Sequence, residues 1–374
     1  MNSLIWFLAG TSAIAAIIHL TSIVLTLLKL RTKPVREFSQ GMPPVSVVRP
    51  VCGLDADAET TLRSTFHLDY PDYEIIFCVA SPNDPVIPLI RRLIGEYSAA
   101  RAQLLTGDDL VSENPKLNNC VKGWRAAAHD WIVLSDSNVI LPPDYLQRLF
   151  EVWGEDTGLV CAPPVGAAPR GIPAEFECVF LNEYQARWQY FADSIGAGFA
   201  QGKSMLWRRD LLEAKGGIAA LGAETAEDAA STKIVREAGL VVRLADSYFV
   251  QPLGNRGVRE VWARQVRWAR LRRVSFPLCF ALEILSGGIW PSILAGAAAH
   301  FAGLPWLLGL GFAALWYGAE ATLARRLGWH WNWRSPLLCA FRDLILPGLW
   351  FEGWRGRNFQ WRGNAMVAAP NSAG

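Results

Sequence analysis

The sequence predicts an α/β protein, a doubly wound and mostly parallel sheet with flanking helices, joined to transmembrane and interfacial helices. Three observations carry this. Short, near-continuous apolar runs rich in β-branched residues alternate with helical patterns in the middle of the chain. Runs of that kind fit parallel strands buried on both faces. The chain's apolar excess, 51% hydrophobic residues with 17 tryptophans in 374, collects at its two ends. That distribution points to membrane segments rather than to a larger core.

The first element is Leu4 to Leu28, which holds no Asp, Glu, Lys or Arg. A helix of that length crosses a hydrocarbon core of about 30 Å. A cleaved signal peptide would want a basic start and a shorter apolar region, whereas this chain begins Met-Asn-Ser. Residues 1–30 are therefore expected to be an anchor. Lys29, Arg31, Lys33 and Arg36 follow it, so the next domain is expected on the cytosolic side.

Residues 44–250 read as the soluble α/β domain. Strands are expected at Val45–Val48, Glu74–Ala80 and Trp131–Leu134, with helices at Ala58–Phe66, Pro85–Tyr97 and Asn118–Ala128. Strand-helix-strand repetition gives a doubly wound sheet, whose ligands sit at the carboxyl ends of the strands. Asp84 and Asp136 fall there. Residues 251–275 form a basic helix. Apolar character then returns, and residues 276–323 are long enough for two spans turning near Gly303-Leu304-Pro305. Residues 324–374 hold a shorter apolar stretch, Pro336–Trp350, interrupted by Arg342-Asp343, and a tail with Arg355, Arg357 and Arg362 among aromatics. A third span and an interfacial helix both fit that stretch.

Net charge is only +2, so bulk electrostatics give no case for nucleic acid, and the arginine-rich stretch abuts apolar segments instead. Seven scattered cysteines without a CxxC pair argue against a zinc site or a disulfide framework.

Several residues have both a structural and a chemical reading. Asp136, in Asp136-Ser137-Asn138, is either a turn former or the carboxylate that holds a divalent cation, Mg2+ or Mn2+, against a diphosphate. Asp228 is either a helix-start acid or a general base for an attacking alcohol, with Glu227 adjacent. Asp84, before Pro85, either caps the next helix or accepts hydrogen bonds from a nucleotide. Lys116, in Asn114-Pro115-Lys116-Leu117-Asn118-Asn119, is a surface lysine or a phosphate or uracil contact at a helix start. Arg264 and Arg267 share a helix face three residues apart, and their forks suit diphosphate oxygens while Trp268 stacks on a sugar or nucleoside. Arg272 and Arg273 are assigned instead to anionic lipid.

Taken together, LDYPDYEIIFCV, SPNDP, NPKLNN, LSDSNVILPPD, GKSMLWRRD, TAED and RQVRWARLR stand in the order found in the ceramide glucosyltransferase family, glycosyltransferase family 21. The resemblance covers most of the chain, from Pro50 to about Trp361. It implies a GT-A fold, UDP-glucose as donor, inversion at the anomeric carbon and ceramide as lipid acceptor. By position, Asp84, Lys116 and Asn118 would bind the nucleotide sugar. Asp136 would lie near metal and diphosphate, Asp228 would be the base, and Arg264, Arg267 and Trp268 would match the family's RxxRW element. The chain departs from the pattern at Gln185-Ala186-Arg187-Trp188, where animal members show His-Pro before an Arg-aromatic pair. On this reading the protein is a multi-pass protein of a bacterial inner membrane with its catalytic domain facing the cytosol. Rival readings are a hopanoid N-acetylglucosaminyltransferase, a diacylglycerol glucosyltransferase, a processive polysaccharide synthase and a non-catalytic scaffold that binds nucleotide sugar. The sequence does not specify an oligomeric state.

Overall fold

The computed structural model describes residues 2–31, 41–55, 57–361 and 364–368. Lys33, Arg36 and Arg362 lie outside them. The chain divides into an α/β unit (31–165, 195–254 and 366–374) and a helical unit (1–30, 166–194 and 255–365). The sequence placed 166–194 inside the α/β domain; it belongs instead to the helical unit.

The α/β unit is built on seven strands: β1 Val45–Val51, β2 Tyr73–Val79, β3 Ala102–Thr106, β4 Trp131–Ser135, β5 Thr157–Cys161, β6 Ser204–Arg208 and β7 Val241–Leu244. Their order across the sheet is β3-β2-β1-β4-β6-β5-β7. The three strands expected from sequence are neighbours, with Val45 opposite both Tyr73 and Trp131 in parallel register. Every residue of β1 is buried, as strands covered on both faces should be. The sheet then reverses, because β6 runs antiparallel to both β4 and β5. Strands β3, β5, β6 and β7 escaped the sequence reading. Edge strand β3 is partly exposed throughout and so lacks an apolar run. Strand β5 carries Gly158, where a Cβ would lie 2.9 Å from Val235 and 3.1 Å from Leu240. Close packing rather than strand propensity selects glycine there.

Helices pack on this sheet at the places expected, with shifted ends. Residues Ala58–Arg63 continue as a 3₁₀ turn through His67, and the second helix runs Ile87–Glu96. The third, Pro115–Ala126, starts three residues before the expected Asn118. Asn114 caps it by accepting from the Lys116 and Leu117 amides at 2.9 and 3.1 Å, and Pro115 takes the first helical position. Gly123 lets this helix touch the sheet, since a Cβ there would sit 2.5 Å from Val48 Cγ1 and 2.6 Å from Cys78 Sγ. Gly123→Ala is expected to destabilise the protein by about 1–3 kcal/mol through overpacking, read as a lowered midpoint in thermal unfolding.

The helical unit contains helices Asn2–Lys29, Val258–Ser275, Ile289–Phe301, Leu308–Leu327 and Ser335–Arg355. A further rod runs α-helical through Ile172–Val179, π-helical through Phe180–Ala186 and α-helical again to Ser194. Among the described residues, Asn2–Lys29 is the one helix long and apolar enough to cross a membrane. Pro277–Leu285 and Ile289–Phe301 pass the same test as a pair bent by 45°. The sequence expected an uninterrupted leg here. The bend falls at Ser286-Gly287-Gly288, where Gly287 has φ +115° and the Gly288 amide donates to Asp343 Oδ2 at 2.6 Å. The turn after Phe301 lies where Gly303-Leu304-Pro305 predicted it.

Arg342 and Asp343, the pair that interrupts the last apolar stretch, are buried with partners. Arg342 donates to both Glu320 oxygens at 3.0 and 3.2 Å and to Asp343 Oδ1 at 2.8 Å. Arg187, from the family-divergent segment, is 1% exposed and bonds Ser22 of the first helix. Outward, the same unit shows large apolar side chains. Trp6, Phe7, Ile14 and Ile17 are exposed on the first helix, and Leu278, Leu315 and Leu337 on later ones.

Candidate active site

The carboxyl ends of β1, β2 and β4 frame the site, because parallel strands leave their next loops on one edge. Asp84 follows β2. Its carboxylate accepts from Gly53 N at 2.9 and 3.1 Å and from Val86 N at 2.9 Å, so it clips the loop after β1 to the start of the next helix. Asn119 ties the ends of β1 and β2 together by donating to Val51 O at 3.3 Å and Cys78 O at 2.8 Å. Asn118, expected on the nucleotide sugar, is 3% exposed. Its amide oxygen accepts from Val111 N and Ser112 N at 3.1 and 3.0 Å, and its Nδ2 donates to Ser112 O at 2.9 Å. It shapes the loop before the helix.

Asp136 sits directly after β4 and is gripped from several sides. Arg49, fully buried in β1, donates to Asp136 O at 2.7 Å, Val139 O at 2.9 Å and Thr61 O at 2.8 Å. The Asp136 carboxylate lies between two ammonium groups, Lys116 Nζ 2.6 Å from Oδ1 and Lys203 Nζ 2.8 Å from Oδ2. Lys116 is also 2.6 Å from Glu227 Oε1 and bonds the Gly202 carbonyl. Lys203 also donates to Asn138 Oδ1 at 3.0 Å. Asn114 Nδ2 donates to the other Glu227 oxygen at 2.7 Å. Asp228 accepts from Gly202 N at 3.2 Å and from Ala229 N at 2.9 Å. Lys116, Asp136, Lys203 and Glu227 have side chains only 10–18% exposed, shielded yet open to a ligand.

Burial and charge act against each other in this cluster. Burial disfavours the Lys116 cation, but Asp136 and Glu227 outweigh it and raise its pKa. Burial likewise pushes the Asp136 acid upward, and Lys116 and Lys203 more than reverse that, holding it below the usual carboxylate range. Asp228 behaves oppositely. Burial first and the Glu227 charge second push it up to about 6, against weaker help from Lys116 and the Gly202 and Ala229 amides. A carboxyl tuned to that range can take up a proton near neutral pH.

Gly202 is the pinch point. A Cβ there would lie 2.8 Å from Glu227 Oε1 and 3.2 Å from Lys116 Nζ. Gly202→Ala is expected to lower kcat/KM at least tenfold with little loss of thermal stability, because the displaced groups are the charged ends of side chains.

No group of three His, Cys, Asp or Glu side chains arranged to hold a metal occurs among the described residues. The donor set is one carboxylate, Asp136, with the Asn138 amide oxygen held by the same lysine. That is too few ligands for an all-protein cage. It fits a hard cation that arrives with phosphates, since Mg2+ is commonly held by one or two carboxylates plus substrate oxygens and water.

Arg264, Arg267 and Trp268 lie in the helical unit, on Val258–Ser275. The Arg264 guanidinium bonds the fully buried Glu177 and donates to Glu260 at 2.9 Å. Arg267 stands over the Trp361 ring at 5.7 Å. Trp268 is half-buried. Arg272, expected on anionic lipid, instead pairs with Glu283 at 2.7 and 2.9 Å.

Sequence reasoning passed over Arg49, Asn114, Gly202 and Lys203. A signal existed for two of them: Gly202-Lys203 opens the GKSMLWRRD run. Arg49 was detectable as a lone charge in an apolar strand.

The sheet, with its acids at the carboxyl edge, is that of a GT-A glycosyltransferase. A mannosyltransferase from Pyrobaculum calidifontis, solved in complex with GDP-Man and Mn2+, matches it at TM-score 0.52 and 17% identity, over 90% of this chain and 99% of that one. The chain belongs to glycosyltransferase family 21, whose model matches residues 14–373. It is 24% identical to ceramide glucosyltransferase 3 of Caenorhabditis elegans over 391 aligned positions, covering 97% of this chain and 85% of the relative. It is 40% identical to ceramide glucosyltransferase of Komagataella phaffii over 124 positions, covering 32% of this chain and 24% of that relative. The family and fold expected from the sequence are thereby borne out, and the chain is a glycosyltransferase.

Proposed function

We propose that this enzyme is a membrane-bound, inverting glycosyltransferase that moves glucose from UDP-glucose to the primary hydroxyl of ceramide. The observation that carries the chemistry is Asp228, a carboxyl raised to about 6 beside a lysine-held Asp136. Asp228 takes the acceptor's hydroxyl proton as that oxygen attacks C1 of the sugar. The new C1–O bond forms as the bond from C1 to the diphosphate oxygen breaks, and the electron pair leaves on UDP. Lys116 orients and neutralises the diphosphate, and Asp84 belongs to the loops that receive the nucleotide. A divalent cation at Asp136 would supply further charge neutralisation to the leaving group. Arg267 and Trp268 keep the leaving-group role that the family resemblance implies, while Arg264, committed to Glu177 and Glu260, holds its helix in place.

The outward apolar side chains of the first helix and of its neighbours support membrane embedding with the α/β unit on the cytosolic side. A second reading keeps the reaction and changes the acceptor, to a hopanoid or a diacylglycerol. The divergent Gln185-Ala186-Arg187-Trp188 favours keeping it, because Arg187 is buried against the first helix. The test is full-length protein in detergent, offered UDP-glucose, UDP-galactose and UDP-N-acetylglucosamine with each lipid. Mass and anomer analysis should show a β-glucosylated ceramide. A product from another lipid alone selects the second reading, and no sugar transfer to any lipid rejects both.

A further inference from the structure

The two ammonium groups on Asp136 bear on how a cation could enter. Both carboxylate oxygens are taken, by Lys116 at 2.6 Å and Lys203 at 2.8 Å. Lys116 is shared with Glu227, so two carboxylates already face two ammoniums, and Asp228 beside them is held partly protonated near neutral pH. A bare divalent cation approaching Asp136 therefore meets two positive charges and no uncommitted carboxylate oxygen. A diphosphate alters that balance, because its oxygens accept ammonium hydrogen bonds as well as carboxylate oxygens do.

Resting on the donor-site reading above, we infer that Lys203 is a counter-ion latch on Asp136. It excludes a bare divalent cation and passes to the diphosphate when nucleotide and cation enter together. Lys116 stays anchored on Glu227 and the Gly202 carbonyl, whereas Lys203 has only Asp136 and the neutral Asn138 amide oxygen as its described side-chain partners. Lys203 is thus the residue suited to change partners. It positions charge and takes no part in bond making.

The test measures Mn2+ by equilibrium dialysis against full-length protein in detergent, with and without UDP. Wild type should bind Mn2+ at least about tenfold more tightly when UDP is present, and UDP affinity should rise by the same factor with Mn2+. Lys203→Gln should bind Mn2+ alone at least about tenfold more tightly than wild type and should lose most of the dependence on UDP. A purely structural lysine would not produce that gain. Lys203→Arg, which keeps the charge, should behave as wild type. Wild type that binds Mn2+ equally well without UDP overturns the latch whatever the variants do. So does Lys203→Gln with unchanged affinity for Mn2+ alone. Absence of UDP binding in every arm overturns the donor-site reading and the latch together, so the two failures are distinguishable.

Discussion

Replacing Asp228 with asparagine is expected to cut kcat by at least about 100-fold while leaving UDP-glucose affinity within about twofold, as removal of a general base does. Titration calorimetry for binding and a radiolabelled transfer assay for turnover separate the two. The pH profile gives an independent check. Because Asp228 must be ionised to accept the proton and titrates at about 6, kcat/KM should fall about tenfold per pH unit below that value. The groups facing it are Glu227, Lys116 and the Gly202 and Ala229 amides, of which only the first raises its pKa. The stability sign runs the other way. A carboxyl whose folded pKa lies above its unfolded one stabilises the fold at low pH and loses that contribution as pH rises through about 6. Asp228→Asn should therefore raise, not lower, the melting temperature at pH 7.5. Near-normal turnover in this variant would remove Asp228 from the mechanism.

The second large effect is on stability. Arg342→Met is expected to cost about 3–5 kcal/mol, because it strands buried carboxylates that Arg342 now neutralises. Glu320 and Arg342 are both fully buried, and Asp343 is 3% exposed. Asp343 also accepts from Gly288 N and, at 3.1 Å, from Tyr317 Oη, so losing Arg342 should loosen the bend at Ser286–Gly288. Adding Glu320→Leu to Arg342→Met should recover part of the loss by removing one stranded charge. Thermal unfolding of the detergent-solubilised protein measures both, and a single variant as stable as wild type would contradict the network.

Much of the α/β unit was legible from residues alone. Val45–Val48, Glu74–Ala80 and Trp131–Leu134 announced themselves because a strand covered on both faces must be apolar at nearly every position. Asp84 and Asp136 followed from that, since the end of a buried strand is where a charged side chain first becomes affordable. Strands β3, β5 and β7 were not legible. Each is short, and β3 and β7 alternate or lie half exposed at the sheet's margins, so their pairing partners rather than their composition make them strands.

The sequence by itself determined the family, the three parallel strands, the acids that follow them and the apolar first helix, because these depend on local composition and order. Tertiary structure alone decided that Lys116 and Lys203 share Asp136, that Glu227 anchors Lys116, and that Glu177 claims Arg264. It also decided that Glu320 and Asp343 neutralise Arg342. Charge pairing acts over a few ångströms between residues up to 111 positions apart, as in Lys116 and Glu227, and no local pattern encodes it.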